Sequence, residues 1–276
     1  MTMQRIRIPP GAQLPVIPVE GDVIKPLEPK VPTVVLGAFK GGDWKTAVAV
    51  ALAEMLAWGG LHVLVLTPDQ QFDAHRRFGV GAKMAVPKLT FGPGSVTVMG
   101  ANPPRTAAII YQGGEALKGI DLVIVDNPPM VDAARLPGVL VVVPVGGRDG
   151  LLNAVPMLRL APESSGVVFL RVADVDGRDQ LQWKRDVKAV IEELGMKERA
   201  AFYPVPVPYS KPVKRAHDAG LSVWRLTRSG NTMEFLRAIR SVGEVVWKWA
   251  APGRTMHRIP APDNYQVIGG VWDGDE

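Results

Sequence analysis

From Thr33 onward the chain alternates short runs of β-branched and aliphatic residues with longer stretches in which apolar residues return every three or four positions. The strand candidates are TVVLGAF (33–39), HVLVLT (62–67), SVTVMG (95–100), DLVIVD (121–126), GVLVVVPV (138–145), GVVFLRV (166–172) and AAFYPVPV (200–207). Helical spacing covers 45–58, 104–118, 149–160, 178–194, 211–219 and 231–249. Strands separated by helices specify βαβ units. Strands that read as continuous apolar runs have both faces covered, so the expected fold class is α/β, a mostly parallel twisted sheet flanked by helices on both faces. No internal repeat or second composition regime interrupts 32–250, which is read as one domain. Residues 1–31 carry repeated prolines without helical or alternating period and are read as an extended arm. Residues 251–276 form a C-terminal tail.

Composition removes several classes of function. There is no cysteine, so disulfides, thiolate metal sites, iron–sulfur clusters and cysteine nucleophiles are excluded. The N-terminus has no continuous apolar segment. The most hydrophobic later runs fall well short of the roughly 20 residues that span a bilayer, so an unexported, cytoplasmic protein is expected. Lys and Arg exceed Asp and Glu by 32 to 27, a net charge of +5 that suits a polyanionic partner without requiring one. The histidines, at 62, 75, 217 and 257, show no metal-ligand spacing.

The chemistry concentrates where the first strand candidate meets the first helix, in FKGGDWKT (39–46). A glycine-rich turn from a strand into a helix aims consecutive backbone N–H groups and the positive end of the helix dipole at one point, which suits a phosphate. Lys45 reaches β- and γ-phosphates from there, and the Thr46 hydroxyl suits Mg²⁺. The ordinary pattern G-x-x-x-x-G-K-[ST] fails at both ends, because Phe39 and Trp44 stand at its outer glycines. The glycines are instead Gly41 and Gly42, behind a second lysine, Lys40.

KGGxxKT resembles the deviant Walker A loop of the ParA/MinD family of dimeric P-loop ATPases. The resemblance implies that Lys40 crosses a sandwich dimer to the partner's nucleotide and acts with Lys45 on the transferred phosphate. It implies also that Gly41, Gly42, Asp43, Trp44, Lys45, Thr46 and Ala47 line the ATP phosphates. Ala47 stands where the family usually has a second hydroxyl. Two further segments fall in the order that family requires. HVLVLTPDQQFDAHRRFG (62–79) resembles its switch segment, with Asp69 at the carboxylate that lies near the γ-phosphate and metal and positions the attacking water; Thr67, Pro68 and Gln70 depart from the family pattern. GIDLVIVDNPP (119–129) resembles its Walker B strand, so Asp126 would hold Mg²⁺ through a bound water. FYPVPVPYSKPVKRAHDAG (202–220) resembles the segment that passes the adenine, implying base-side contacts from Pro206 and Pro208. The resemblance runs from residue 33 to about 250.

The resemblance implies a slow ATPase, stimulated by a partner, that uses ATP and Mg²⁺ to form a homodimer. Within it the chain is closest to ParA-type partition proteins, which bind DNA non-specifically and work with a ParB-like centromere-binding protein in plasmid or chromosome segregation, on the nucleoid. The candidate DNA contacts are Lys211, Lys214, Arg215 and Arg228, with further basic residues at Lys184, Arg185, Lys188 and Arg225. Two alternatives stay open: a MinD-like positioning ATPase on membrane, for which MEFLRAIRSVGEVVWKWA (233–250) is amphipathic enough, and a weakly hydrolysing DNA-coating or filament scaffold. Nitrogenase-type and iron–sulfur-carrier relatives need cysteines that the chain lacks.

Overall fold

The computed structural model describes residues 27–37, 44–68, 73–80, 87–127, 136–172, 179–226 and 230–259. Eight strands form one sheet in the order β3-β4-β2-β5-β1-β6-β7-β8. They are β1 (Thr33–Leu36), β2 (His62–Thr67), β3 (Lys88–Phe91), β4 (Gly94–Gly100), β5 (Leu122–Asp126), β6 (Leu140–Val145), β7 (Gly166–Val172) and β8 (Ala200–Val207). Every pairing is parallel except that of the edge strand β3 with β4. The helices are α1 (Trp44–Trp58), α2 (Asp73–Arg77), α3 (Pro103–Gln112), α4 (Gly147–Leu158), α5 (Asp179–Glu193), α6 (Lys211–Asp218) and α7 (Gly230–Ala250).

The period-2 geometry of strands divides their side chains between two cores. Val34 and Leu36 of β1, Val63 and Val65 of β2, and Leu122 and Ile124 of β5 face one layer, with α1, α2, α6 and α7. Val35, Leu64, Leu66, Val123 and Val125 face the other, with α3, α4 and α5. Helix α1 is buried on nearly every side from Ala47 to Ala57. A glycine of α7 lets the two helices approach closely: a Cβ on Gly243 would overlap the Met55 sulfur of α1. α7 in turn buries Phe235, Leu236, Ile239, Val242, Val246 and Trp247, so its apolar face is covered by protein, while Trp249 stays exposed. An acidic group of α1 is buried in this layer. Glu54 of α1 accepts hydrogen bonds from the Ser222 hydroxyl (2.9 Å) and the Val223 amide (3.3 Å). The Trp224 indole N–H donates to the Ala51 carbonyl at 2.8 Å.

The elements expected from the sequence are present with shifted ends, and two were missed. β3 is a four-residue antiparallel edge and α2 a single five-residue turn, both too short to carry a period. The stretch 104–118 is not one helix. α3 ends at Gln112 because Gly113 and Gly114 take positive φ (81° and 103°), and only a 3₁₀ turn at Glu115–Leu117 follows. Pro204 and Pro206 sit in β8, an edge strand paired only with β7, the kind of strand in which proline is tolerated. At the N-terminal end of the sheet, described parts of both chain ends dock. The Lys30 amide donates to the Ile110 carbonyl and the His257 amide to the Gly59 carbonyl, each at 2.9 Å. Arg254 meets Asp121 at 2.8 Å.

Candidate nucleotide-binding site

β1 lies at the centre of the sheet, and the strand order reverses about it: the chain moves to β2 on one side and later to β6 on the other. In open parallel sheets a crevice opens outside the carboxyl ends of the strands at such a point. Register sets what lines it. Leu36, the last residue of β1, is level with Asp126 of β5 and with Val142 of β6. Leu66 is level with Val125, so Thr67 and Asp126 end their strands side by side.

Into this crevice α1 sends its N-terminus, with Lys45 and Thr46 in its first turn. Lys45 is 6% exposed and Asp126 5%, and neither is left without a partner. A lysine and a carboxylate buried this deeply are costly unless paired or matched to a bound ion. Asn127 follows Asp126 and is buried as well. Thr67 is 2% exposed, and its hydroxyl has no hydrogen-bond partner among the described residues. Thr46 is half-buried at the rim and Ala47 is buried. The start of a helix with a lysine and a hydroxyl in its first turn, and a carboxylate at a strand end, make up the candidate set. This donor set fits a magnesium–polyphosphate.

The fourth wall comes from far along the chain. The ring of Trp44, first residue of α1, packs edge-on against Tyr209, with centroids 6.1 Å apart and planes at 81°. That contact brings the β8–α6 loop, with buried Pro208 and, at the end of β8 before it, half-buried Pro206, beside the start of α1. Tyr209 was not singled out from the sequence, although both of its proline neighbours were. The loop is fixed from behind: the Asn231 side chain donates to the Tyr209 carbonyl at 3.1 Å. Ser210 caps α6 by accepting from the Val213 amide at 3.4 Å, with its hydroxyl 3.1 Å from that of Thr232. Lys40, Gly41, Gly42, Asp43, Asp69 and Arg228 lie outside the described residues.

The basic residues divide between the two layers. Lys211, Lys214 and Arg215 are exposed on α6, and Lys214 pairs with Asp218 at 3.6 Å. Arg185 and Lys188 are exposed on α5, which packs on the opposite face of the sheet, with Lys184 half-buried beside them. The two groups therefore lie on opposite faces of the sheet and do not form one continuous face.

Solved structures share this architecture. A Cyanothece McdA variant in complex with ATP superposes with a TM-score of 0.57 at 15% identity, over 83% of this chain and 99% of that one. MinD from Pyrococcus horikoshii, complexed with Mg-ADP, gives 0.55 at 17% identity over 78% and 97%. Cobyrinic acid a,c-diamide synthase from Mycobacterium smegmatis, with bound ATP analogue and magnesium, gives 0.51 at 16% over 82% and 98%. At these identities the likeness is one of fold: the chain has the fold of the ParA/MinD-type P-loop ATPases. No family model and no curated protein sequence matches the chain. No helix among the described residues is long and apolar enough to cross a membrane.

Proposed function

We propose that the protein is a ParA-like ATPase that forms ATP-dependent sandwich dimers, binds DNA non-specifically and acts in DNA partition with a ParB-like partner. What supports this reading is that Asp126 ends β5 level with the end of β1, where the strand order reverses, and that Lys45 and Thr46 stand in the first turn of the helix that follows β1. Neighbours of the same fold hold ATP or Mg-ADP. In this reading Lys45 and the first amides of α1 bind the phosphates, with Gly41, Gly42, Asp43, Trp44 and Ala47 along the loop. Thr46 and Asp126 hold Mg²⁺, which neutralises phosphate charge when bound. Pro206 and Pro208 border the base. Asp69 orients the attacking water, and Lys40 reaches the nucleotide of the partner subunit. Two lysines from different subunits on one triphosphate make the dimer a reporter of the γ-phosphate, and hydrolysis a timer. Turnover is slow and rises with the partner protein.

DNA is favoured over membrane because protein covers the apolar face of the amphipathic segment 233–250, Trp249 apart. Lys211, Lys214, Arg215 and Arg228 provide the phosphate contacts. Co-sedimentation with DNA and with anionic liposomes, each with Mg-ATP or Mg-ADP across a salt series, tests the reading. The expected result is ATP-dependent DNA binding that weakens steeply with salt. Liposome binding without DNA binding would replace it with the MinD-like alternative.

A further inference from the structure

Helix α6 is held at its start by the first residue of α1, beside the candidate nucleotide site, and at its end by α2, the element that follows β2 in the chain. At its start, Tyr209 packs on Trp44 of α1, and Ser210 ties the cap to Thr232 of α7. At its end, His217 is wholly buried with its Nδ1 3.2 Å from the Arg77 guanidinium. Arginine can only donate, so Nδ1 accepts and the imidazole carries its proton on Nε2. The ring is accordingly neutral: burial, and after it the Arg77 charge, push its pKa down to about 3, with Asp218 opposing.

Beside this contact the two backbones touch. Gly79 and Gly220 both have positive φ (70° and 66°). A Cβ on Gly79 would come within 2.8 Å of the Gly220 carbonyl oxygen, and one on Gly220 would overlap the Gly79 Cα. Arg77 ends α2, and Gly79 closes its last turn. The chain reaches α2 from the carboxyl end of β2, where Thr67 sits beside Asp126. A buried arginine hydrogen bond next to a backbone contact with no side chain between leaves little room for slip, so a movement of α2 is passed on and not absorbed. The other side of α6 carries exposed Lys211, Lys214 and Arg215.

We propose that Arg77 and His217 are positioning residues that join α2 to α6, so that occupancy of the nucleotide site is expressed as a shift and tightening of the basic helix α6. The proposal rests on the nucleotide-binding reading above and adds its output element. Such coupling exists only if one site biases the other measurably, so the test must read both places in one experiment.

Hydrogen–deuterium exchange on the full chain, with and without Mg-ATP, supplies that test for wild type, His217→Leu and His217→Asn. In wild type, Mg-ATP should slow exchange at the start of α1 and, by about fivefold or more, within α6. His217→Leu should keep the α1 response and lose that of α6. His217→Asn, whose side-chain oxygen replaces Nδ1 as acceptor, should keep both. Arg77→Met, which keeps a long side chain and removes the donor, gives the same comparison as His217→Leu if the latter does not fold. An α6 that ignores ATP in wild type while α1 responds overturns the proposal, as does an unchanged α6 response in His217→Leu. Absence of any response at the start of α1 removes the nucleotide-binding reading itself.

Discussion

Glu54 offers the sharpest test of how α1 is held. Its carboxyl is 2% exposed in the middle of the helix that starts the candidate site. Burial pushes its pKa up from 4.5 to about 8, against the opposing effects of the Ser222 and Val223 hydrogen bonds and the Arg225 charge. In the folded chain Glu54 is therefore neutral up to about pH 8, while in the unfolded chain it ionises above about 4.5. The folded state binds the extra proton between those values, so stability is greatest below the lower one and falls as pH rises toward the upper. At ~1.4 kcal/mol per pH unit, the loss from this group by pH 7 is on the order of 3 kcal/mol. Glutamine stays neutral in both states and keeps an oxygen for both donors. Glu54→Gln should thus match wild type at pH 4.5 and melt about 6 °C higher at pH 7. Thermal unfolding followed by circular dichroism between pH 4.5 and 8 reads the difference. Parallel pH profiles for the two proteins would refute the claim that burial holds this carboxyl neutral.

Gly220→Ala should destabilise by more than ~2 kcal/mol, since the new Cβ meets the Gly79 backbone at a positive φ; a variant melting with wild type would mean the contact yields freely. Asp69→Ala should lower ATP turnover by ~100-fold or more and prolong the ATP dimer, as seen by single-turnover hydrolysis and sizing; unchanged turnover would remove Asp69 from the chemistry.

Much of the architecture was legible because apolar patterning is local. β1, β2, β5 and β6 are runs of Val, Ile and Leu buried on both faces, and the helical period of 178–194 appears almost unshifted in α5. What the sequence concealed depends on residues distant in the chain. The "KLTF" of β3 is mostly exposed and exists as a strand because β4 lies alongside it. The break in 104–118 was written as Gly113–Gly114, but the helical period on either side masked it. In the candidate site, the placement of Lys45 and Thr46 at a helix start and of Asp126 at a strand end was readable because these are local features. Tyr209 was not, since nothing near it in sequence announces Trp44 as its neighbour. The same holds for Arg77, which was not singled out, and His217, which read as one of four scattered histidines; they meet only through the packing of α2 on α6. Charge gave a misleading unity: the basic residues of α5 and α6 look like one set along the chain, yet the sheet stands between them.

The central claim is that lysines from two subunits converge on one triphosphate, and its most direct test is the mass of the protein in solution with Mg-ATP and Mg-ADP for wild type, Lys45→Ala and Lys40→Ala. Wild type should dimerise with ATP and not with ADP; Lys45→Ala should bind neither nucleotide; Lys40→Ala should bind ATP and remain monomeric. A Lys40→Ala protein that still dimerises with ATP would contradict the account.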